Sequence, residues 1–188
     1  MEIRTPRLLL RQWRDQDREP FAALNADPEV MRYFPSTQTR ETSDRGIDKC
    51  QQDLQERGWG LWAAERLESG EFVGFIGLSI PRHPLPFMPC VEVGYRLAKA
   101  FWGCGYATEG ARAALDFGFS RLALEEIVSF TALINQPSRA VMERLGMINS
   151  GEDFDHPAVA EGSPIRRHCL YRLSRTRWEE QQKPAQLG

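Results

Sequence analysis

Hydrophobic and polar positions change period several times along this chain, and each change predicts an element. The clearest switch lies between residues 91 and 119. Val91, Val93, Tyr95 and Leu97 alternate with Glu92, Gly94 and Arg96, the two-residue period of a strand. Beyond Gly103 and Gly105 the period becomes four. Ala107, Ala111, Leu115 and Phe119 recur along one face of a helix. The stretch therefore reads as strand, glycine turn, helix.

Further strands are predicted at 7–11, 59–66, 72–80, 126–131 and 165–173, and another begins within 147–151. Residues 68–71 make a hairpin turn. Residues 72–80 are apolar on both faces around Gly74 and Gly77, which suits the centre of a sheet. One helix runs from a cap at Asp15 or Asp17 to about Ala26, carrying Phe21 and Leu24. A short helical turn follows at 29–34. A second helix covers 40–57, with Ile47, Cys50 and Leu54 on one face and Gly58 as its stop. A third starts at an Asn135 cap, turns Val141 and Leu145 inward, and ends at Gly146. Four prolines between 81 and 89 exclude a ladder strand. That loop either covers the core or walls a substrate pocket. Residues 153–164 read as polar loop. The order predicts one domain over 1–175, a mixed α/β sheet with helices on both faces, then a flexible tail over 176–188, mobile from Trp178.

Composition narrows the function. A chain of 188 residues can bury a real core as one domain. A net charge of −2 gives no support for nucleic acid as a partner. No apolar run reaches membrane-spanning length, and residues 1–6 lack a signal peptide's apolar stretch, so no membrane partner is expected. Cys50, Cys90, Cys104 and Cys169 form no C-x-x-C pair, and His83, His156 and His168 show no ligand spacing. Neither a metal site nor a disulfide framework is expected, and a reducing cytoplasm is the expected setting.

The glycine turn is where chemistry enters. Gly103 and Gly105 allow positive φ and bare backbone, and the helix that follows has unpartnered N–H groups at its positive end. Such a turn binds anions, phosphate above all; a plain packing turn is the alternative. A dinucleotide fingerprint would need a third glycine where Thr108 stands, and no early βαβ repeat surrounds it. A single polyphosphate carrier, coenzyme A, fits better. Cys104 stands at a helix start and invites a covalent role, but it fills the unspecified position between the glycines and is read as bystander.

The chain resembles the GCN5-related N-acetyltransferase (GNAT) superfamily, and within it the branch that acetylates ribosomal-protein N-termini. Five stretches carry the resemblance in order: T-P-R-L-L-L-R at 5–11, D-P-E-V at 27–30, G-F-I-G at 74–77, E-V-G-Y at 92–95 running on to W-G-C-G-Y-A-T-E at 102–109, and N-Q-P-S-R at 135–139 leading to E-R-L-G-M at 143–147. The resemblance implies a mostly antiparallel twisted sheet splayed between its fourth and fifth strands. It implies acetyl-CoA gripped there as cosubstrate, with main-chain groups of Tyr95, Arg96 and Leu97 meeting the pantetheine. Gly103, Cys104, Gly105, Tyr106, Ala107 and Thr108 would bind pyrophosphate. Asn135 and Ser138 would flank the arm and the sulfur, and a nearby cation, Lys99 or Arg139, would compensate at the phosphate turn for Ala100. The acceptor would be a protein N-terminus or a small-molecule amine, and a homodimer is expected. Two positions depart from the pattern. Ala100 replaces the usual Gln or Arg before the turn, and Met142 stands where many relatives carry a tyrosine acid.

Acetyl transfer to an amine needs a base, an oxyanion donor and help for the leaving thiolate. Glu92, on the polar face of its strand, is the expected base, acting through water; an ion-paired strand glutamate is the alternative. A strand N–H near Arg96 or Leu97 is the expected oxyanion donor. Ser138 is the expected partner of the sulfur; a first-turn serine bonded to local backbone is the alternative. A catalytically silent acyl-CoA sensor remains a competing function, whereas a nucleotide-dependent oxidoreductase fails on motif count.

Overall fold

The computed structural model describes residues 2–183. Its strands are β1 (Ile3–Arg4), β2 (Leu8–Arg11), β3 (Leu61–Arg66), β4 (Phe72–Ser79), β5 (Glu92–Leu97), β6 (Glu126–Ala132), β7 (Ile148–Asn149), β8 (Phe154–Asp155) and β9 (Arg167–Ser174). Its helices are α1 (Arg18–Ala26), α2 (Arg40–Arg57), α3 (Tyr106–Ser120), α4 (Gln136–Arg144) and α5 (Arg175–Gln182). The sheet order is β1-β2-β3-β4-β5-β6-β9-β7, with β8 also on β9. Every pairing is antiparallel except β5 with β6. Parallel neighbours cannot be joined by a tight turn, so α3 makes the crossover. This is the expected mixed, mostly antiparallel sheet. The expected fourth and fifth strands are β5 and β6, because the short β1 precedes the first.

The helices lie on opposite faces. Ala111, Ala114 and Leu115 of α3 are fully buried, and Gly110 and Gly118 bring α3 close to Ile76 and Leu78 of β4. On the other face, Phe21 of α1 meets Phe75 of β4 edge-on, ring centroids 6.1 Å apart. Thr39 caps α2 through Thr42 N, and Gly58 ends it at φ 76°, with Ile47, Cys50 and Leu54 buried.

Three expectations change. Asp17 does not cap α1 with its side chain. Its carboxylate instead takes both terminal nitrogens of Arg11, at 2.7 and 2.8 Å, and the N–H of Arg14. A buried cation claims the carboxylate more strongly than a helix end does. The polar loop at 153–164 contains β8, and Phe154 and Val159 are buried. The tail expected to move from Trp178 is helical through Gln182, because Trp178 stacks on Phe119 at 5.8 Å and is 4% exposed. Residues 184–188 lie outside the described residues.

Candidate active site

One cleft of about 1420 Å³ runs from the start of α3 to the ends of α1 and α2. At its first end, Gly103 and Gly105 take φ of 75° and 81°, in the left-handed region that favours glycine. The first turn of α3 closes with Glu109 N to Gly105 O. The N–H groups of Tyr106, Ala107 and Thr108 are left without intrahelical acceptors, and these residues line the cleft. Arg7 braces the turn. It donates to Glu109 Oε2 at 2.6 Å and to Cys104 O at 2.9 Å, and lies over the Tyr106 ring. Burial alone would raise the Glu109 carboxyl, but hydrogen bonds from Thr5 and Arg7 hold it below the usual carboxylate range.

The middle of the cleft is the gap between β5 and β6. Main-chain groups of alternate residues in a strand point to opposite neighbours. Val91 O accepts from Val128 N at 2.9 Å, and Val93 O accepts from Ser129 Oγ at 3.0 Å. Odd-numbered residues of β5 therefore face β6. The ladder is recorded only at Glu92 with Val128, so the strands part after Val93. Tyr95 and Leu97 then present their N–H groups to open space, while Leu97 O is taken by Trp102 Nε1 at 2.9 Å. The main chain of Arg96 faces β4, opposite Phe75. Arg96 thus cannot offer its N–H to the gap, which corrects its expected place beside Tyr95 and Leu97.

Two groups with acid–base chemistry flank this gap on opposite faces of β5. Glu92 accepts from Ser79 Oγ at 2.7 Å. Burial raises its carboxyl above the usual range, against the opposing Ser79 hydrogen bond. Among the described residues no cation pairs with it. On the other face, the Tyr95 hydroxyl donates to Ser138 O at 3.0 Å and lies 3.2 Å from Ser138 Oγ. Burial pushes the Tyr95 hydroxyl upward, so it stays protonated at neutral pH. Asn135 caps α4 by accepting from Ser138 N at 3.3 Å. The Tyr95 hydroxyl was not foreseen as a chemical group. Its position on the strand face opposite Glu92 was the available clue.

Not every expected residue converges here. Arg139 turns to Tyr171 Oη and Leu133 O and does not line the cleft. Its place on α4 directs it towards β9. Cys104 also lies outside the lining; it is exposed, its Sγ against Trp102 O. Lys99 pairs with Glu29 rather than facing the turn. Met142 is 1% exposed, in the core. In the loop at 81–89, Leu85 and His83 line the cleft, and Phe87 packs on Phe154, ring centroids 5.1 Å apart. His83, His156 and His168, distant in sequence, meet at the cleft wall, with the latter two rings 4.9 Å apart. Burial and the neighbouring imidazoles press His156 down to about 4. Among the described residues no group of three or more ligands is set to hold a metal, and no helix is long and apolar enough to cross a membrane.

A free strand edge beside a glycine turn with unpartnered N–H groups is an arrangement that suits a pantetheine arm and its diphosphate. The family described as "Acetyltransferase (GNAT) domain" matches residues 7–148. The chain belongs to the GNAT acetyltransferase family. A relative from Aspergillus fumigatus, an FsC-acetyl coenzyme A-N(2)-transacetylase, is 33% identical over 97% of this chain and 80% of its own. The crystal structure of a GNAT-family acetyltransferase from Bacillus anthracis superposes with a TM-score of 0.77 at 25% identity, covering 94% of this chain and 99% of that one. Mycobacterium smegmatis RimJ, solved with a CoA-disulfide, superposes at 0.73 with 22% identity over 98% and 90% of the two chains; this shows the shared fold. As a GNAT member the protein is an acetyl-CoA-dependent N-acetyltransferase.

Proposed function

We propose that the protein passes an acetyl group from acetyl-CoA directly to a primary amine held between β5 and the α1–α2 face. The observation that carries this is the unpaired edge at Tyr95 and Leu97, with Glu92 on one side of the strand and the Tyr95–Ser138 hydroxyl pair on the other. The residues fit the cosubstrate: free N–H groups for the pantetheine amides, and the Gly103–Thr108 turn for the diphosphate. Bound acetyl-CoA supplies the activated thioester. Glu92, through water, takes the amine proton. An α-amine loses its proton near pKa ~8, so little driving force is required. The N–H of Tyr95 or Leu97 stabilises negative charge on the thioester oxygen. Ser138 or Tyr95 donates to the departing sulfur, whose thiol pKa is near ~8.5. Tyr95 thereby supplies the hydroxyl that Met142 lacks.

The acceptor is a protein N-terminus, as the ribosomal-protein branch suggests, or a small amine. A thiol-release screen over amines and short peptides tests the proposal, beside calorimetry with acetyl-CoA. Turnover with at least one amine, and its loss in Glu92→Gln, is expected. Binding without any turnover would instead favour a silent acyl-CoA module. No heat with millimolar acetyl-CoA would remove the cofactor placement altogether.

A further inference from the structure

Two arginines set into this fold, one buried and one partly buried, are treated very differently. Arg11, 1% exposed, is held by carboxylates on two sides: Asp17 at 2.7 Å and Glu65 at 2.7 Å. Arg96 lines the acceptor side of the cleft and has no carboxylate partner among the described residues. Its Nη1 donates to the neutral Asn25 Oδ1 at 2.7 Å. Its Nε is buried without an acceptor, and Nη2 finds none in the protein. The rings of Phe34 and Phe75 lie 4.0 and 5.3 Å from its Cζ and keep water from two sides. Cys50 supplies no counter-charge, because burial pushes its thiol up to about 11. Burial presses Arg96 down to about 10, so the group is still a cation at neutral pH. A partly desolvated cation without an anion is costly to hold in place. What this site lacks is an anion.

The cosubstrate does not supply it. Its diphosphate site is the start of α3, which packs on the opposite face of β5 from Arg96. On the Arg96 face, Glu92, Gly94 and Arg96 follow one another by strand alternation. Gly94 leaves a bare floor between the two charges: a Cβ there would meet only Leu61 Cδ2, at 3.8 Å. At ~3.3 Å per residue the Cα atoms of Glu92 and Arg96 lie about 13 Å apart. An amine facing Glu92 and an anion facing Arg96 would lie across this floor.

We infer that the acceptor carries a carboxylate several bonds removed from its reacting amine, and that Arg96 binds it. The inference deepens the acetyltransferase reading above and rests on it. A short peptide with a free C-terminus, or an ω-amino acid, has the required ends. A free α-amino acid holds both groups on one carbon and is too short.

Thiol release with matched pairs tests this in the wild-type protein. The probes are triglycine against its C-terminal amide, and 5-aminopentanoate against pentylamine. The carboxylate member of each pair should have kcat/KM higher by about 10- to 100-fold, chiefly through KM, as one charge-assisted hydrogen-bonded contact would give. Arg96→Gln should narrow the ratio to within about threefold, and Arg96→Lys should keep part of it. Calorimetry with acetyl-CoA reports whether each variant retains its fold and cofactor site; if Arg96→Gln does not fold, the wild-type pairs decide alone. Equal use of the two members, preference for the neutral one, or an undiminished ratio in Arg96→Gln overturns the inference. If acetyl-CoA binds and no amine of either kind is acetylated, the acetyltransferase reading falls and the inference falls with it.

Discussion

Ser79 Oγ donates to Glu92 Oε1 at 2.7 Å, from the residue directly opposite it in the β4–β5 ladder. That bond favours the charged carboxylate, while burial favours the neutral one and prevails. A base with a raised pKa loses its active form as pH falls through that value. The rate should therefore climb with pH on its acid side. Removing Ser79 takes away the hydrogen bond that opposes burial, so Ser79→Ala should move the acid limb of kcat/KM to higher pH. A limb that stays put, or moves the other way, would exclude Glu92 as the group responsible.

Glu92→Gln should flatten the same limb and lower turnover by about 10²- to 10⁴-fold, with acetyl-CoA affinity unchanged. The stability effect has the opposite sign. A carboxyl with a raised native pKa binds its proton more tightly in the folded state, so wild-type stability falls as pH rises from the ordinary carboxylate range through the raised value. The glutamine variant should melt higher than wild type above that window and alike below it. Paired thermal melts across pH check this independently of any rate.

The turn proposed to hold the diphosphate couples to the chain's first strands through Arg7. A Cβ at Gly105 would lie 3.4 Å from Arg7 Nη2, at a φ of 81°. Gly105→Glu should abolish acetyl-CoA binding, through strain of about 1–2 kcal/mol and an added negative charge facing the diphosphate. Arg7 is half exposed, so its own contribution is screened. Arg7→Ala should weaken acetyl-CoA by only about fivefold, less at high salt. Calorimetry at two ionic strengths separates the effects, and unchanged affinity in Gly105→Glu would move the diphosphate elsewhere.

The parts of the candidate site that could be read in advance are those written in local sequence. The turn at Gly103 and Gly105 is marked by a change of period, and Glu92 by its place in an alternating strand. The rest depends on distant partners. Arg96 meets Asn25, 71 residues away, and Tyr95 meets Ser138, 43 residues away. Nothing in the spacing of His83, His156 and His168 announces that two loops and the start of β9 bring them together. The helix α5 was missed because only one of its residues, Trp178, is buried, so no periodic face exists to be seen. Arg139 was misplaced because a motif names a position but not the direction in which the helix turns it.

Asp17 carries a stability prediction. It is 1% exposed and bonded to Arg11, which also holds Glu65. Taking one charge from a buried pair leaves the other uncompensated, which typically costs about 3–5 kcal/mol. Asp17→Asn should lower the urea midpoint accordingly while leaving acetyl-CoA affinity intact in the folded fraction. A loss below about 1 kcal/mol would mean that Glu65 alone satisfies Arg11.

Gly94 offers the cleanest separation of acceptor from cosubstrate. Its backbone is ordinary strand, and an added methyl would make one normal contact, with Leu61. Gly94→Ala should therefore fold as wild type or gain about 0.5–1 kcal/mol from a less flexible unfolded chain. The methyl would occupy the floor between Glu92 and Arg96, on the face away from α3. Acceptor KM should rise, and rise further in Gly94→Val, while acetyl-CoA affinity stays constant. A fall in acetyl-CoA affinity would put the cosubstrate on this face, and unchanged acceptor kinetics in both variants would show that the amine enters by another route.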